Sequence, residues 1–357
     1  MLFKESLLEN ADGTRSGVRP RPVDPLDVQK AREALLRPGH LNVHVSMPCP
    51  LKVPFKQAFK PVVAQWNADP DKTPVHWPHD ITDCTPEGIG QMLTEATTPE
   101  GLPDVLVGGG TNLVFGRTFH RRFLETGLFG GVPETFYPED YCSAVLQAAG
   151  RYRVGFLAFS AWGLLRDLTV PCDVPDPTRW MDLASPTYRD LISVHGCHGH
   201  ALTLSLLLDL HRDGGNEALR QLARNIHRVG HFSELIKTLG SAKSETPFYV
   251  LPNVAMAMIP SGKRIEMLRL NRGVIGPMML LVKQERLDRC GHVIRYFMGP
   301  DFQALLERGA YFQPRDVPGI EEHDFYDMEL MAEHSFEEVT LLQDEFADLM
   351  GDKIARR

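Results

Sequence analysis

Residues 41–67 read LNVHVSMPCPLKVPFKQAFKPVVAQWN, and their periodicity decides the fold class. The first six alternate apolar with polar side chains, the period of a half-buried strand. Beyond the MPCP turn, Val53, Phe55, Phe59, Val62, Val63 and Trp66 recur at helical spacing. A strand followed by an amphipathic helix is half of a βαβ unit, and the residues downstream supply the rest. VHWPHDITDC (75–84) is a second strand candidate. TPEGIGQMLTEATT (85–98) reads as a helix with Thr85 as cap and Pro86 in the first turn. LPDVLVGGGTN (102–112) is a short apolar strand that runs into three glycines. Strand, helix, strand, helix, strand opens a parallel α/β sheet.

Upstream, residues 1–39 are polar and punctuated by proline, with one helical stretch, DPLDVQKAREALL. They form an arm, not a domain. Downstream, RYRVGFLAFSAWGLL (151–165) is extended. DPTRWMDLASPTYRDLISV (176–194) is a short helix or turn leading into a strand. ALTLSLLLDLHRDGG (201–215) is a helix stopped by glycines; NEALRQLARNIHRVG (216–230) is amphipathic; HFSELIKTLGSAK (231–243) is a further short helix. ETPFYVLPNVAMAMI (245–259) and GVIGPMMLLVKQE (273–285) return as extended chain, and 290–314 is helical, broken at Gly299-Pro300.

With 357 residues the chain exceeds what one core usually holds, roughly 250–300 residues, so two domains are expected. No window approaches the ~20 apolar residues of a membrane span. The net charge of −8 is concentrated at the end: 319–357 carries twelve acids against three bases. The remainder is nearly balanced and shows no basic stripe, which argues against nucleic acid as a partner. The N-terminal residues lack the apolar segment of a secretory leader, and the six cysteines lack framework spacing. Both point to reduced thiols in a cytoplasm, with the periplasm as the alternative if a leader has been removed.

Four landmarks carry a family resemblance. Residues 41–67 look like an opening strand, ligand loop and first helix. LPDVLVGGGTNLVFGRTFHRRFLETGLF (102–129) is similar to an "ADV" strand and the helix after it. TRWMDLASPTYRDLISV (178–194) fits a "W.DL..P.Y.G.I" pattern. CGHVIRYFMGPDFQALLERGAYFQP (290–314) fits "A..F..F..S...Q..L...G..P". In this order they resemble the type II periplasmic solute-binding proteins of ABC transporters, especially the branch with ferric-ion and molybdate binders. The arm and the acidic tail have no counterpart in the family's minimal form, and the family is normally exported.

The resemblance implies a two-lobed α/β fold, each lobe a mixed, mostly parallel sheet flanked by helices, joined by two hinge strands. Lobe one would take 41–152 plus 256–314 and lobe two 153–255, with 1–39 as arm and 315–357 as acidic helical tail. The crossings fall near YRVGFLAFS (152–160) and YVLPNVAMAM (249–258). A ligand would lie between the lobes and be buried by hinge closure.

Open α/β sheets bind ligands beyond the carboxyl ends of their strands. That rule places Cys49 at the end of the first strand and Cys84 near the end of the second. Gly108, Gly109, Gly110, Thr111 and Asn112 follow the third, where glycines let backbone N–H groups approach a ligand. In lobe two the LISV strand leads into HGCHGH, three histidines and a cysteine at 195–200. His195, Cys197, His198 and His200, with Cys84, are candidate metal ligands, since iron, zinc, nickel and copper accept thiolate and imidazole. The helix expected after the cluster favours an anion or thiolate instead. Core packing is the competing reading for Cys84, as is a small residue beneath an anion for Cys49. Tyr249, Asn253 and Ser261 could present polar groups to a ligand; Cys142, Cys172 and Cys290 read as structural.

The function expected is that of a solute-binding protein taking a metal ion, metal complex or oxyanion. The alternative is an enzyme on the same fold, with Cys49 or Cys197 as nucleophile and His195 or His198 as base. In the tail, Ser335 and Glu338 form a capping box, and Phe336, Val339, Leu342, Phe346 and Leu349 make an apolar stripe. That stripe either docks on its own domain or receives a protein partner.

Overall fold

The computed structural model describes residues 25–78, 92, 96–109, 119–197, 200–201, 204–315 and 336–353. These form two compact units. One holds residues 25–160 and 276–315, the other 161–275 and 337–353. The chain passes between them at 160–161 and again at 275–276, whereas the sequence places the second passage near 249–258.

The first unit is built on β1 (Leu41–Ser46), β2 (Val75–His76), β3 (Val105–Gly109) and β4 (Phe129–Gly130). To these it adds the opening half of β5 (Gly155–Asp167) and most of β11 (Val274–Lys283). The order is β2-β1-β3-β11-β5, with β1, β2 and β3 parallel, β11 antiparallel to β3, and β4 on β11. Leu41, Val43 and Val45 turn one face of β1 into the core, as the alternation requires. The Cys49–Ala68 helix covers that face with Leu51, Phe55, Phe59 and Trp66. Pro54 and Pro61 lie on its exposed face, where carbonyls left without an N–H partner can reach water. Phe55 and Phe59 stack with ring centroids 5.0 Å apart and meet Phe297 and Phe302, tying in the Leu287–Met298 and Pro300–Arg308 helices.

A buried ion pair fixes the opposite end of this sheet. Lys283 Nζ donates to Asp104 Oδ1 at 2.9 Å and to Leu102 O at 2.7 Å, and Asn42 N–H donates to Asp104 Oδ2 at 2.8 Å. One carboxylate thus binds β1 and β11 to the start of β3.

The second unit carries the latter half of β5 together with β6 (Ile192–Cys197), β7 (His200–Ala201) and β8 (Ile226–Gly230). β9 (Phe248–Pro252) and β10 (Ile265–Leu268) complete it. β6 pairs in parallel with both β8 and β9; β9 and β10 run antiparallel to β5; β7 folds back on β6. IHRVG, expected to extend an amphipathic helix, is instead β8, because pairing with β6 buries Ile226 and Val229.

The DGG stop is a kink within the Leu204–Asn225 helix. Gly215 sits at φ 63°, and a Cβ on Gly214 would lie 2.4 Å from Met181 Cε. Around the kink, buried Asp209 pairs with Arg212 at 2.6 Å and with Arg272, while Asp213 holds the same two arginines at 2.8 and 2.9 Å. Asp182, the acid of the W.DL motif, accepts the N–H groups of Thr178 and Arg179 at 3.0 Å each. Trp180 Nε1 donates to Arg272 O at 3.1 Å.

The tail helix, Phe336–Met350, buries Leu342 and Phe346 of its stripe, with Met350 beside them, so this part of the stripe is not open to a partner. Just beyond, Lys353 Nζ donates to the carbonyls of Ile226 at 2.6 Å and of Ala223 and Arg224 at 3.2 Å each. The Ala223 and Arg224 carbonyls are orphans at the end of the Leu204–Asn225 helix, where a cation is favoured, and Ile226 opens β8. Replacing Lys353 with methionine should lower stability by ~1–2 kcal/mol, read from the urea midpoint. Ser335 and the side chains of Phe336 and Val339 lie outside the described residues.

Candidate functional site

β6 continues two residues beyond His195 and returns as a hairpin, with Cys197 opposite His200. Among the described residues β7 comes next, and the helix begins at Leu204. The side chains of Cys197, His198 and His200 lie outside the described residues, as do Cys84, Gly110, Thr111, Asn112 and the side chain of Cys49. Cys49 is the first residue of its helix. Among the described residues no group of three or more His, Cys, Asp or Glu side chains is placed to hold a metal ion.

His195 is described, and its surroundings define its chemistry. Its ring stacks on Trp162 with centroids 5.8 Å apart and 20° between planes, and meets His231 and Phe232 edge-on at 5.5 and 5.4 Å. Phe232 N–H donates to His195 Nδ1 at 3.1 Å. The same nitrogen lies 3.4 Å from Gly230 O, a contact that would need the opposite tautomer. An amide N–H can only donate, and it is the nearer group, so Nδ1 accepts and the ring proton resides on Nε2. Burial, with His231 adding to it, lowers the His195 pKa to about 4, and the ring is neutral at pH 7. In this tautomer neither nitrogen has a lone pair free to act as a base.

In the first unit the strand-end groups are Ser46 and Gly108, paired in register. A Cβ on Gly108 would sit 2.9 Å from Ser46 Cβ, so glycine is what allows β3 to lie against β1 here. Ser46 is exposed, and the 49–68 helix starts three residues later. His44, on the same strand, is held neutral by burial, its pKa lowered to about 4.

Tyr249 and Asn253 are buried; the Tyr249 hydroxyl lies 2.8 Å from Ser244 Oγ, and Asn253 Oδ1 accepts Val254 N–H at 3.0 Å. Ser261 lies in an exposed turn. Cys290 is buried, its thiol pushed up to about 12 chiefly by burial; Cys142 and Cys172 are half-buried free thiols. The sequence singled out none of Trp162, His231 or Ser46. Trp162 sits in a largely apolar run, His231 reads as a helix start, and Ser46 shows only as the last polar residue of the β1 alternation.

A family model described as bacterial extracellular solute-binding protein matches residues 100–327. The chain belongs to this family. Its fold is the type II periplasmic-binding fold, as the solved structures bear out. A ferric ion-binding protein A from Pasteurella haemolytica superimposes with TM-score 0.59 at 14% identity, over 88% of this chain and 99% of that one. A ferric binding protein from Campylobacter jejuni gives 0.58 at 12% identity, covering 85% and 98%. A Trichodesmium protein in complex with iron and citrate gives 0.53 at 14%, covering 87% and 97%. Comparison with curated protein sequences finds no match.

This is a solute-binding protein of ABC-transporter type. The family is one of extracellular proteins, so the cytoplasmic expectation is not supported and the periplasmic alternative is the one the family implies. Among the described residues no helix is long and apolar enough to cross a membrane.

Proposed function

We propose that this solute-binding protein captures a small solute, a metal ion, a metal complex or an oxyanion, for delivery to an ABC transporter. The observation that carries the reading is His195: a neutral ring clamped among Trp162, His231 and Phe232, with Nε2 unpaired among the described residues. A ring held this firmly at a strand end, with one polar atom unused, suits a binding group. The iron-binding names of the structural relatives, one solved with citrate, support metal ions and their complexes as ligands to try first.

Thermal unfolding of the purified chain tests this against ferric ion, zinc, nickel, ferric citrate, phosphate and molybdate. A true ligand at 100 times its Kd stabilises the folded state by ~2.7 kcal/mol, and one of these classes should raise Tm accordingly. No shift with any of them would count against solute capture.

A further inference from the structure

We infer that His195 meets its ligand as a hydrogen-bond donor, through Nε2–H to an oxyanion oxygen, and does not ligate a metal ion. This rests on the solute-capture reading and narrows it to ligands that present an anionic oxygen: an inorganic oxyanion, or a carboxylate, free or as part of a metal chelate.

A metal bound at Nε2 must take the lone pair there, which moves the ring proton to Nδ1. That nitrogen faces the Phe232 N–H at 3.1 Å, so coordination would set two donors against each other and break the bond that orients the ring. Metal-bound histidines have the reverse arrangement, with the second nitrogen donating to a carbonyl or carboxylate. Among the described residues the only acceptor near Nδ1 is Gly230 O at 3.4 Å, longer than the amide contact.

His231 repeats the pattern beside it. Its Nδ1 accepts Ser233 N–H at 3.3 Å and lies 2.7 Å from Ser233 Oγ, so its Nδ1 lone pair is also engaged. Two imidazoles with centroids 5.5 Å apart are thus both oriented by backbone amides, a poor foundation for a metal pair. For an oxyanion the same features fit: a fixed donor whose ring cannot turn away, on a neutral residue that needs no counter-charge.

The test uses the full chain with 15N-labelled histidine and long-range proton–nitrogen correlation spectra, which report the tautomer directly. His195 should show an unprotonated Nδ1 and a protonated Nε2. Phosphate, molybdate, citrate and ferric citrate are then added in turn, with zinc and ferric ion as bare-metal arms. The ligand that binds should shift the Nε2–H resonance without changing the tautomer. His195→Gln, which keeps a donor, should retain more affinity than His195→Phe, which should bind about tenfold more weakly or worse. An Nδ1–H tautomer, a switch of tautomer when bare metal binds, or a bound ligand that leaves Nε2–H unmoved each overturns the inference while leaving solute capture standing. Failure of every probe to bind overturns solute capture itself, and the inference with it.

Discussion

Lys283→Met should lower the unfolding free energy by ~3–5 kcal/mol, the usual consequence of removing one member of a buried ion pair. The side chains of Lys283 and Asp104 are only 5% and 6% exposed. Without the ammonium, the Asp104 carboxylate keeps the Asn42 N–H, a long contact from Asn42 Nδ2 at 3.4 Å and a distant guanidinium, Arg286 Nε at 4.0 Å. Leu102 O loses its donor as well. The damage comes from the charge left behind, so the double variant Lys283→Met, Asp104→Leu should be less destabilised than the two single changes added together. Urea denaturation of the four proteins closes the cycle. A Lys283→Met protein within 1 kcal/mol of the parent would show that water reaches the pair and that it does not hold the three strands together.

The second large effect is acid sensitivity above the range where carboxylates titrate. Burial is the leading cause that lowers His44 and His195 to about 4, against 6.5 for the unfolded chain. At neutral pH both states carry neutral imidazoles and the histidines contribute no pH dependence. As pH falls below 6.5 the unfolded state binds protons first, so stability is lost progressively down to about 4. At 1.36 kcal/mol per pH unit, each histidine accounts for ~3 kcal/mol across that window. His292, lowered chiefly by burial, adds in the same direction. Asp182 is held below its ordinary value by its hydrogen bonds, against the opposing effect of burial, so its stabilising share is lost only at more acid pH. Asp209, raised by burial despite Arg272 and Arg212, runs in the opposite sense. Unfolding curves from pH 7 to 4 should therefore show a steep loss that His44→Leu reduces by somewhat less than half. An unchanged slope in that variant would mean His44 is open to water in the folded protein.

How much of this was legible beforehand follows from where the information lies. β1 and the 49–68 helix could be read because their burial follows the period of their own residues. β8 could not: IHRVG continues the helical pattern of NEALRQLARN, and only pairing with β6 makes it a strand. β10, whose Glu266 and Met267 are both exposed, carries no alternation to detect. The Ser143–Tyr152 helix buries Val145, Ala148, Ala149 and Tyr152, a short face whose two alanines carry little apolar signal. At the site, the LISV strand pointed to His195 at its end. Its chemistry was hidden, because the amide that sets its tautomer comes from Phe232, 37 residues along the chain, and its stacking partner Trp162 comes from another strand. Residue types alone make HGCHGH a candidate metal site; the backbone N–H on His195 Nδ1 is tertiary information.

Native mass spectrometry of the full chain, isolated gently from cells that make it, tests the central claim most directly. One adduct per chain is predicted, released on unfolding and identified as a solute bearing a carboxylate, phosphate or comparable oxyanion, with or without a chelated metal. A chain that carries only a bare metal ion would contradict the oxyanion reading while leaving solute capture standing; a chain that carries nothing after growth in rich medium would contradict solute capture itself.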